Sequence, residues 1–145
     1  LAGHARLAAT SPIRIGGAEF GATRFEAREW LETGRVHVIQ CAIDRAGGFT
    51  ELRRICELAE FYGADVIPHG WKTGITSACG RHLQAACPRT PLFEYISPVV
   101  FDSPLRRDLV SPEPVIENGR MALPEGPGLG IELNEEAVER YRTDR

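Results

Sequence analysis

The chain has 145 residues, 43% hydrophobic and 26% charged, with a formal net charge of −3 at pH 7. This size and composition are typical of one soluble globular domain, and the acidic balance gives no electrostatic basis for nucleic-acid binding. No apolar run approaches the roughly 20 residues of a membrane span, so we expect no membrane association. No signal peptide is visible, and the first residue is Leu1 rather than methionine, so we expect a fragment or a processed product.

The first unit of the chain predicts a strand followed by a helix. Residues 1–10 are Ala-rich and typical of the end of a helix, and residues 13–15 predict a short strand before Gly16-Gly17. Glu19 follows this glycine pair. A second helix is predicted to begin at Thr23 and to stop at Gly34. Its candidate buried residues are Phe25, Trp30 and Leu31.

Two further units repeat this pattern. An apolar strand begins at Val36 and reaches Gln40 and Cys41, and a helix capped by Thr50 follows and ends before Gly63. Residues 66–71 then predict a buried strand that ends in His69 and opens into a Gly-containing loop. The next helix has an apolar stripe and ends at Pro88; residues 92–96 predict a fourth strand. The stripe is formed by Ile75, Ala78, Cys79, His82, Leu83 and Ala86, and we interpret His82 as a packing residue.

Repeated strand–helix units with short connections favour a parallel sheet with right-handed crossovers. The pattern alone does not separate an open doubly wound sheet from a (β/α)₈ barrel. From about residue 98 the chain becomes rich in proline and glycine, with a hairpin predicted around Asn118-Gly119 and a final helix from Asn134 to Tyr141. We therefore divide the chain into a domain over residues 1–97 and a C-terminal tail over residues 98–145.

The four cysteines form no C-x-x-C pair, which argues against a zinc ribbon or a thioredoxin-type motif. Three of them fall within apolar patterns, so we expect small buried hydrophobic residues in a reducing cytoplasm. The cysteines are Cys41, Cys56, Cys79 and Cys87.

Polar side chains follow the predicted strands at the ends where active sites of α/β folds lie. They are Glu19, Gln40, Asp44, His69 and Glu94. A carboxylate near a histidine can hold a metal ion or orient the imidazole as a general base. Oxygen ligands favour Mg²⁺, or Mn²⁺, over Zn²⁺.

Several motifs, in order and spacing, resemble the C-terminal part of the mandelate racemase branch of the enolase superfamily, and most of all its acid-sugar dehydratases. The motifs lie at residues 17–24, 40–48, 50–55, 68–71, 82–86, 93–95 and 127–133. The resemblance implies an α/β fold, the C-terminal half of a (β/α)₈ barrel containing strands five to eight. It also implies a Mg²⁺-dependent reaction on a small sugar acid, in which the proton α to a carboxylate is removed and a β-hydroxyl leaves.

The same resemblance implies roles for single residues. Glu19 would be a metal ligand, His69 the catalytic base or acid, and Glu94 a group that shares a hydrogen bond with the substrate carboxylate. Trp71 would lie beside the substrate, with Gln40 as a second candidate for substrate contact.

The chain departs from the family pattern at the partner of the histidine. The family has an aspartate five residues before the Gly-Gly pair, and this chain has Ala42 there. Asp44 lies two residues on and shares a strand face with Ala42. We hypothesise that Asp44, or with less support Gln40, orients His69.

The second departure is that the strands expected to carry the other metal-binding carboxylates and a lysine base are missing. The chain alone is therefore expected to be inactive, and its open sheet edges predict a homo-oligomer or aggregation. Two alternatives remain open: a racemase or epimerase of the same branch, and a half-barrel without catalytic function.

Overall fold

A computed structural model of the chain describes residues 1–143. Its centre is a parallel three-stranded sheet in the order β1-β2-β3, and two small antiparallel pairs, β4 with β7 and β5 with β6, lie in the C-terminal tail. The elements are α1 (Ala2–Thr10), β1 (Gly16–Gly17), α2 (Arg24–Glu32), β2 (Val38–Ile39), α3 (Phe49–Phe61), β3 (Asp65–Val66), α4 (Gly74–Ala86), α5 (Pro104–Asp108), β4 (Val110–Ser111), β5 (Ile116–Glu117), β6 (Arg120–Met121), β7 (Glu132–Leu133) and α6 (Glu135–Tyr141).

The predicted parallel sheet is present, but its first strand begins later than expected. Gly16 lies opposite Val38, and Val38 lies opposite Asp65. Residues 13–15 stay outside the ladder. The carbonyl of Ile15, at their end, accepts hydrogen bonds from the N–H groups of His37 and Val38. The apolar residues thus lead into the strand, and the glycine pair forms it.

The prediction of a fourth strand at residues 92–96 is wrong. This segment runs beside the continuation of β3, and the Glu94 N–H donates to the Pro68 carbonyl at 3.3 Å. It forms no regular ladder. Its place beside the sheet matters for the site described below.

Local capping explains where the helices α2 and α3 begin. The helix α2 starts at Thr23, as the sequence predicted, and Thr23 forms a capping box with Glu26. The predicted cap of α3 is wrong: Gly48 occupies that position with φ +79°, and Thr50 already lies within the helix. The helix stops as expected, since Gly63 follows it with φ +70°.

The core lies between the sheet and the helices, with α2 packing against α3 and α3 against α4. Its largest fully buried side chains include Ile39, Leu52, Ile55, Val66 and Leu83. Phe25, predicted to be buried, is 66% exposed on α2, whereas Leu31 is buried as expected. No helix among residues 1–143 has the length and apolar character needed to cross a bilayer.

All four cysteines are free thiols, and three of them are buried. Burial raises the pKa of Cys41 to about 12 and also raises the pKa of Cys56. These thiols therefore stay protonated and serve as packing groups, in line with the prediction from sequence.

The C-terminal tail contains the predicted hairpin, β5 and β6, and its turn has positive φ at Asn118 (+52°) and Gly119 (+75°). The final helix α6 begins as expected at Asn134, whose side chain accepts hydrogen bonds from two backbone N–H groups. His82 on α4 bonds through Nε2 to the Leu129 carbonyl at 3.2 Å and so connects the tail to the helix layer.

Arg106 on α5 is a buried cation, 3% exposed, near the start of the tail. Its guanidinium donates to the carbonyl groups of Ile96 and Phe101, both at 2.7 Å. It also lies over the ring of Tyr95, 5.0 Å from the centroid. One planar group thereby joins both ends of the loop between residues 96 and 101.

Candidate active site

His69 is held at the end of the sheet by backbone contacts on one side. The strand β3 continues through fully buried Pro68. The His69 N–H donates to the Cys41 carbonyl at 3.4 Å, and His69 pairs with Ala42 in a parallel bridge. Residues after β2 and β3 therefore stay in register beyond the strands themselves, which fixes the position of the imidazole.

The Glu94 carboxylate contacts the imidazole of His69. Glu94 Oε2 lies 2.5 Å from His69 Nδ1, and the His69 side chain is only 13% exposed. The absence of a side chain at Gly70 allows this approach, because a Cβ there would lie 2.0 Å from the Glu94 carbonyl oxygen. A glycine directly after the histidine thus brings the segment of Glu94 against the end of β3.

Glu19 approaches the other nitrogen of the same ring. Glu19 Oε1 lies 3.6 Å from His69 Nε2, and 44% of the Glu19 side chain is exposed. The turn after β1 directs it there: Ala18 has φ +71°, and its carbonyl accepts from the Gly21 N–H at 3.0 Å. A left-handed alanine is a strained conformation, of the kind that concentrates at functional sites.

A pocket of about 340 Å³ brings together five of the six residues selected from the sequence. Its lining residues are Glu19, Gln40, His69, Trp71 and Glu94. The Trp71 ring stacks on the imidazole, with ring centroids 6.0 Å apart and planes inclined by 24°. The pocket therefore combines two carboxylates, one imidazole, one amide and one aromatic face.

Asp44 lies outside this pocket, and the structure does not support its predicted role. Its carboxylate forms an ion pair with Lys72. Burial raises the pKa of Asp44, but the hydrogen bond and charge of Lys72 outweigh this effect and hold the pKa below its usual value. The carboxylate in contact with the imidazole is that of Glu94 instead. Sequence reasoning missed Lys72, although a cation three residues after His69 was a visible candidate partner for Asp44.

Within residues 1–143, no group of three or more histidine, cysteine, aspartate or glutamate side chains could hold a metal ion. Glu19 fits a hard divalent cation as a single ligand, because it offers carboxylate oxygen and is half exposed to the pocket. One carboxylate does not complete a Mg²⁺ site. Any further ligands would have to come from elsewhere.

The contacts of His69 fit proton transfer. Nδ1 lies within hydrogen-bond distance of Glu94 Oε2, and an ionised carboxylate accepts, so the contact suits an imidazole that donates from Nδ1. Nε2 is the nitrogen nearer to Glu19. An imidazole with one nitrogen anchored and the other accessible is the usual arrangement of a general base or acid.

Comparison with known proteins gives consistent matches over nearly the whole chain. A family model described as enolase C-terminal domain-like matches residues 1–137. D-galactarolactone cycloisomerase of Agrobacterium fabrum is 33% identical over 144 residues, covering 96% of this chain and 38% of that protein. L-rhamnonate dehydratase of Saccharopolyspora erythraea is 37% identical over 128 residues, covering 84% of this chain and 31% of that protein.

A solved structure shows the same similarity. The crystal structure of a mandelate racemase/muconate lactonizing enzyme from Jannaschia sp. CCS1 matches with a TM-score of 0.85 at 33% identity. The match covers 99% of this chain and 36% of that one. The chain thus spans about a third of the length of the relatives it matches.

Proposed function

The chain belongs to the enolase C-terminal domain-like family, and from this membership we propose that it is part of an acid-sugar dehydratase. The reaction removes the proton α to a carboxylate and expels a β-hydroxyl group. The observation that carries the proposal is the imidazole of His69, with Nδ1 on Glu94 and Nε2 towards the pocket. Curated relatives named for dehydration of sugar acids support the substrate class. They include L-rhamnonate, D-xylonate and arabinonate dehydratases.

We further propose that the sheet corresponds to strands five to seven of a (β/α)₈ barrel, with residues 92–96 in the place of the eighth. The parallel order β1-β2-β3 supports this assignment, as does the match to about a third of longer relatives. In isolation the sheet has open edges, and such edges pair with other chains. We expect the isolated chain to form homo-oligomers or aggregates, and a monodisperse monomer in light scattering would contradict this expectation.

Each residue of the pocket has its own role in the proposed reaction. His69 Nε2 takes the α-proton or returns a proton to the departing hydroxyl, so that water leaves and a 2-keto-3-deoxy acid forms. Glu94 at Nδ1 stabilises the imidazolium while it carries the proton. Trp71 covers one face of the ring and excludes water, and Gln40 offers an amide to substrate hydroxyls.

A divalent cation, Mg²⁺ or Mn²⁺, would supply positive charge for the enediolate when bound, with Glu19 as the candidate ligand from this chain. The half-exposed carboxylate of Glu19 supports this assignment. The rest of such a site lies outside residues 1–143, because those residues form no complete metal-binding group.

The test uses the native polypeptide with Mg²⁺ and a panel of sugar acids that includes L-rhamnonate, D-xylonate and arabinonate. Formation of 2-keto-3-deoxy acid is measured, together with exchange of the α-proton in D₂O by NMR. We expect His69→Asn to lose about 10²- to 10⁴-fold in rate, as removal of a general base or acid does. The matched control His4→Asn, on α1, should retain activity. Absence of both dehydration and exchange across the panel would refute the proposal.

Isomerisation is a second candidate, because a relative matching 96% of the chain is named as a cycloisomerase. The product distinguishes the two reactions, since an isomer keeps the mass of its substrate and a dehydration product loses one water. A racemase or epimerase needs bases on both faces of the α-carbon, and the pocket contains one histidine. A second base on a preceding part of the native protein would favour that alternative.

A further inference from the structure

The partner that fixes His69 lies on the segment that follows α4. We infer that Glu94 is the positioning residue of His69, holding the imidazole as the Nδ1–H tautomer in a chain that has Ala42 paired with the histidine. The catalytic consequence rests on the proposed function, but the tautomer does not. Three features of the structure support this role of Glu94: residue 42 has no hydrogen-bonding side chain, the backbone holds Glu94 in place, and Trp71 restrains the ring.

Ala42, the residue that pairs with His69, has no side-chain hydrogen-bond acceptor. Ala42 pairs directly with His69 in the sheet and is 0% exposed, so its methyl group occupies the neighbouring position. Asp44, in the turn after Ala42, has its carboxylate on Lys72. Among the described residues, Nδ1 thus has its side-chain partner on the other flank, and Glu19 Oε1, 3.6 Å from Nε2, lies beyond hydrogen-bond distance.

Glu94 occupies that other flank and is held there by its backbone. Its N–H donates to the Pro68 carbonyl, one residue before the histidine. The preceding residue, Phe93, packs against two glycines, because a Cβ at Gly70 or Gly80 would meet the Phe93 ring at 2.6 Å or 2.1 Å. Since backbone and packing fix its Cα, the carboxylate needs little additional ordering to contact the ring.

The contact selects one tautomer. Glu94 Oε2 is 2.5 Å from Nδ1, and a carboxylate accepts, so the proton of a neutral imidazole lies on Nδ1. The stacked Trp71 ring restrains rotation of the imidazole about its own bond. Nε2 is consequently presented to the pocket as a lone pair. Without the acceptor, the ring would exchange between both tautomers and only a fraction would be competent as a base.

Two variants of Glu94 separate the effect of hydrogen-bond acceptance from the effect of negative charge. Glu94→Gln keeps an acceptor oxygen at the same length and loses the charge, whereas Glu94→Leu loses both. The native polypeptide is labelled with ¹⁵N-histidine, and His69 is assigned by comparison with His69→Gln. Long-range ¹H–¹⁵N spectra, recorded without substrate at a pH where histidine is ordinarily neutral, report which nitrogen carries the proton. Glu57→Gln, on the exposed face of α3, serves as the matched control.

We expect the Nδ1–H tautomer in the wild type, in Glu94→Gln and in the control, and a shift towards Nε2–H in Glu94→Leu. The kcat of Glu94→Leu should fall about 10- to 100-fold, the range for removal of the hydrogen-bond partner of a metal-bound histidine. Circular dichroism and thermal melting establish that each variant is folded. An Nε2–H or doubly protonated ring in the wild type, or the same tautomer in Glu94→Leu as in the wild type, would overturn the inference. If the tautomer shifts while no dehydration is detected in any form, the inference stands and the proposed function fails.

Discussion

Replacement of Gly70 by alanine tests how the structure brings Glu94 to His69. An added Cβ at Gly70 would lie 2.0 Å from the Glu94 carbonyl oxygen. Carbon and carbonyl oxygen atoms ordinarily meet at roughly 3.3 Å, so the two segments must separate by about 1.3 Å. The contact is with backbone, and no flexible side chain can move aside. The displacement therefore carries the Glu94 side chain away from the imidazole.

Two effects of Gly70→Ala follow from this displacement. Overpacking of this kind lowers the free energy of unfolding by about 1–3 kcal/mol. A shift of about 1 Å in a catalytic group costs roughly 10²-fold in turnover, and the 2.5 Å contact between Glu94 and His69 should be lost. Denaturant unfolding of the native polypeptide measures the first effect, and the dehydration rate measures the second.

Gly3→Ala is the matched control, because Gly3 lies in α1 and an added Cβ there meets nothing within 4 Å. Alanine in a helix is about 0.5–1 kcal/mol more favourable than glycine, so this variant should be neutral or slightly stabilised. If Gly70→Ala unfolded at the denaturant concentration of the wild type and kept its activity, the close approach of the two segments would be incorrect.

Three other measurements examine the helix start, the thiols and the ion pair outside the pocket. Thr23→Ala should lower the free energy of unfolding by about 0.5–2 kcal/mol through loss of the capping box; an unchanged value would refute the cap. Cys41 should resist thiol reagents in the native protein at pH 8, because burial raises its pKa to about 12, and rapid modification would contradict that burial. Its contribution to stability is present below pH 9 and is lost as the pH rises towards 12. Lys72→Met should raise the pKa of Asp44, seen by NMR titration, and change stability by less than about 1 kcal/mol because the pair is partly exposed; no change in that pKa would argue against the ion pair.

The sequence identified the helices better than the strands, for a physical reason. The ends of helices depend on the types of their capping residues, as at Thr23, Gly63 and Asn134. A single residue type can therefore predict where a helix begins or ends. Strand limits depend on which partner residues form a ladder. Apolar residues 13–15 and 92–96 look like strands, yet the ladder at the first begins at Gly16, and the second has no regular ladder.

The same difference applies to the candidate site. The positions of Glu19, His69 and Glu94 at strand ends were enough to expect them at one edge of the sheet, and the pocket contains all three. The spacing of these residues in the sequence could not predict which side chains contact one another. Asp44 faces Lys72 because of a loop conformation, and Glu94 reaches His69 because Gly70 allows a close approach in three dimensions.

Arg106 has a consequence for engineering of the loop that it closes. Its guanidinium donates hydrogen bonds to the carbonyl groups of Ile96 and Phe101. These bonds hold the two ends of the loop together without a covalent link. At its tip, Val99 is 94% exposed. Extra residues inserted there would add loop entropy of only about 0.6 kcal/mol for each doubling of length. A peptide tag between Val99 and Val100 should thus be tolerated while Arg106 is intact, whereas lysine, a single point charge, could not hold both ends of the insertion.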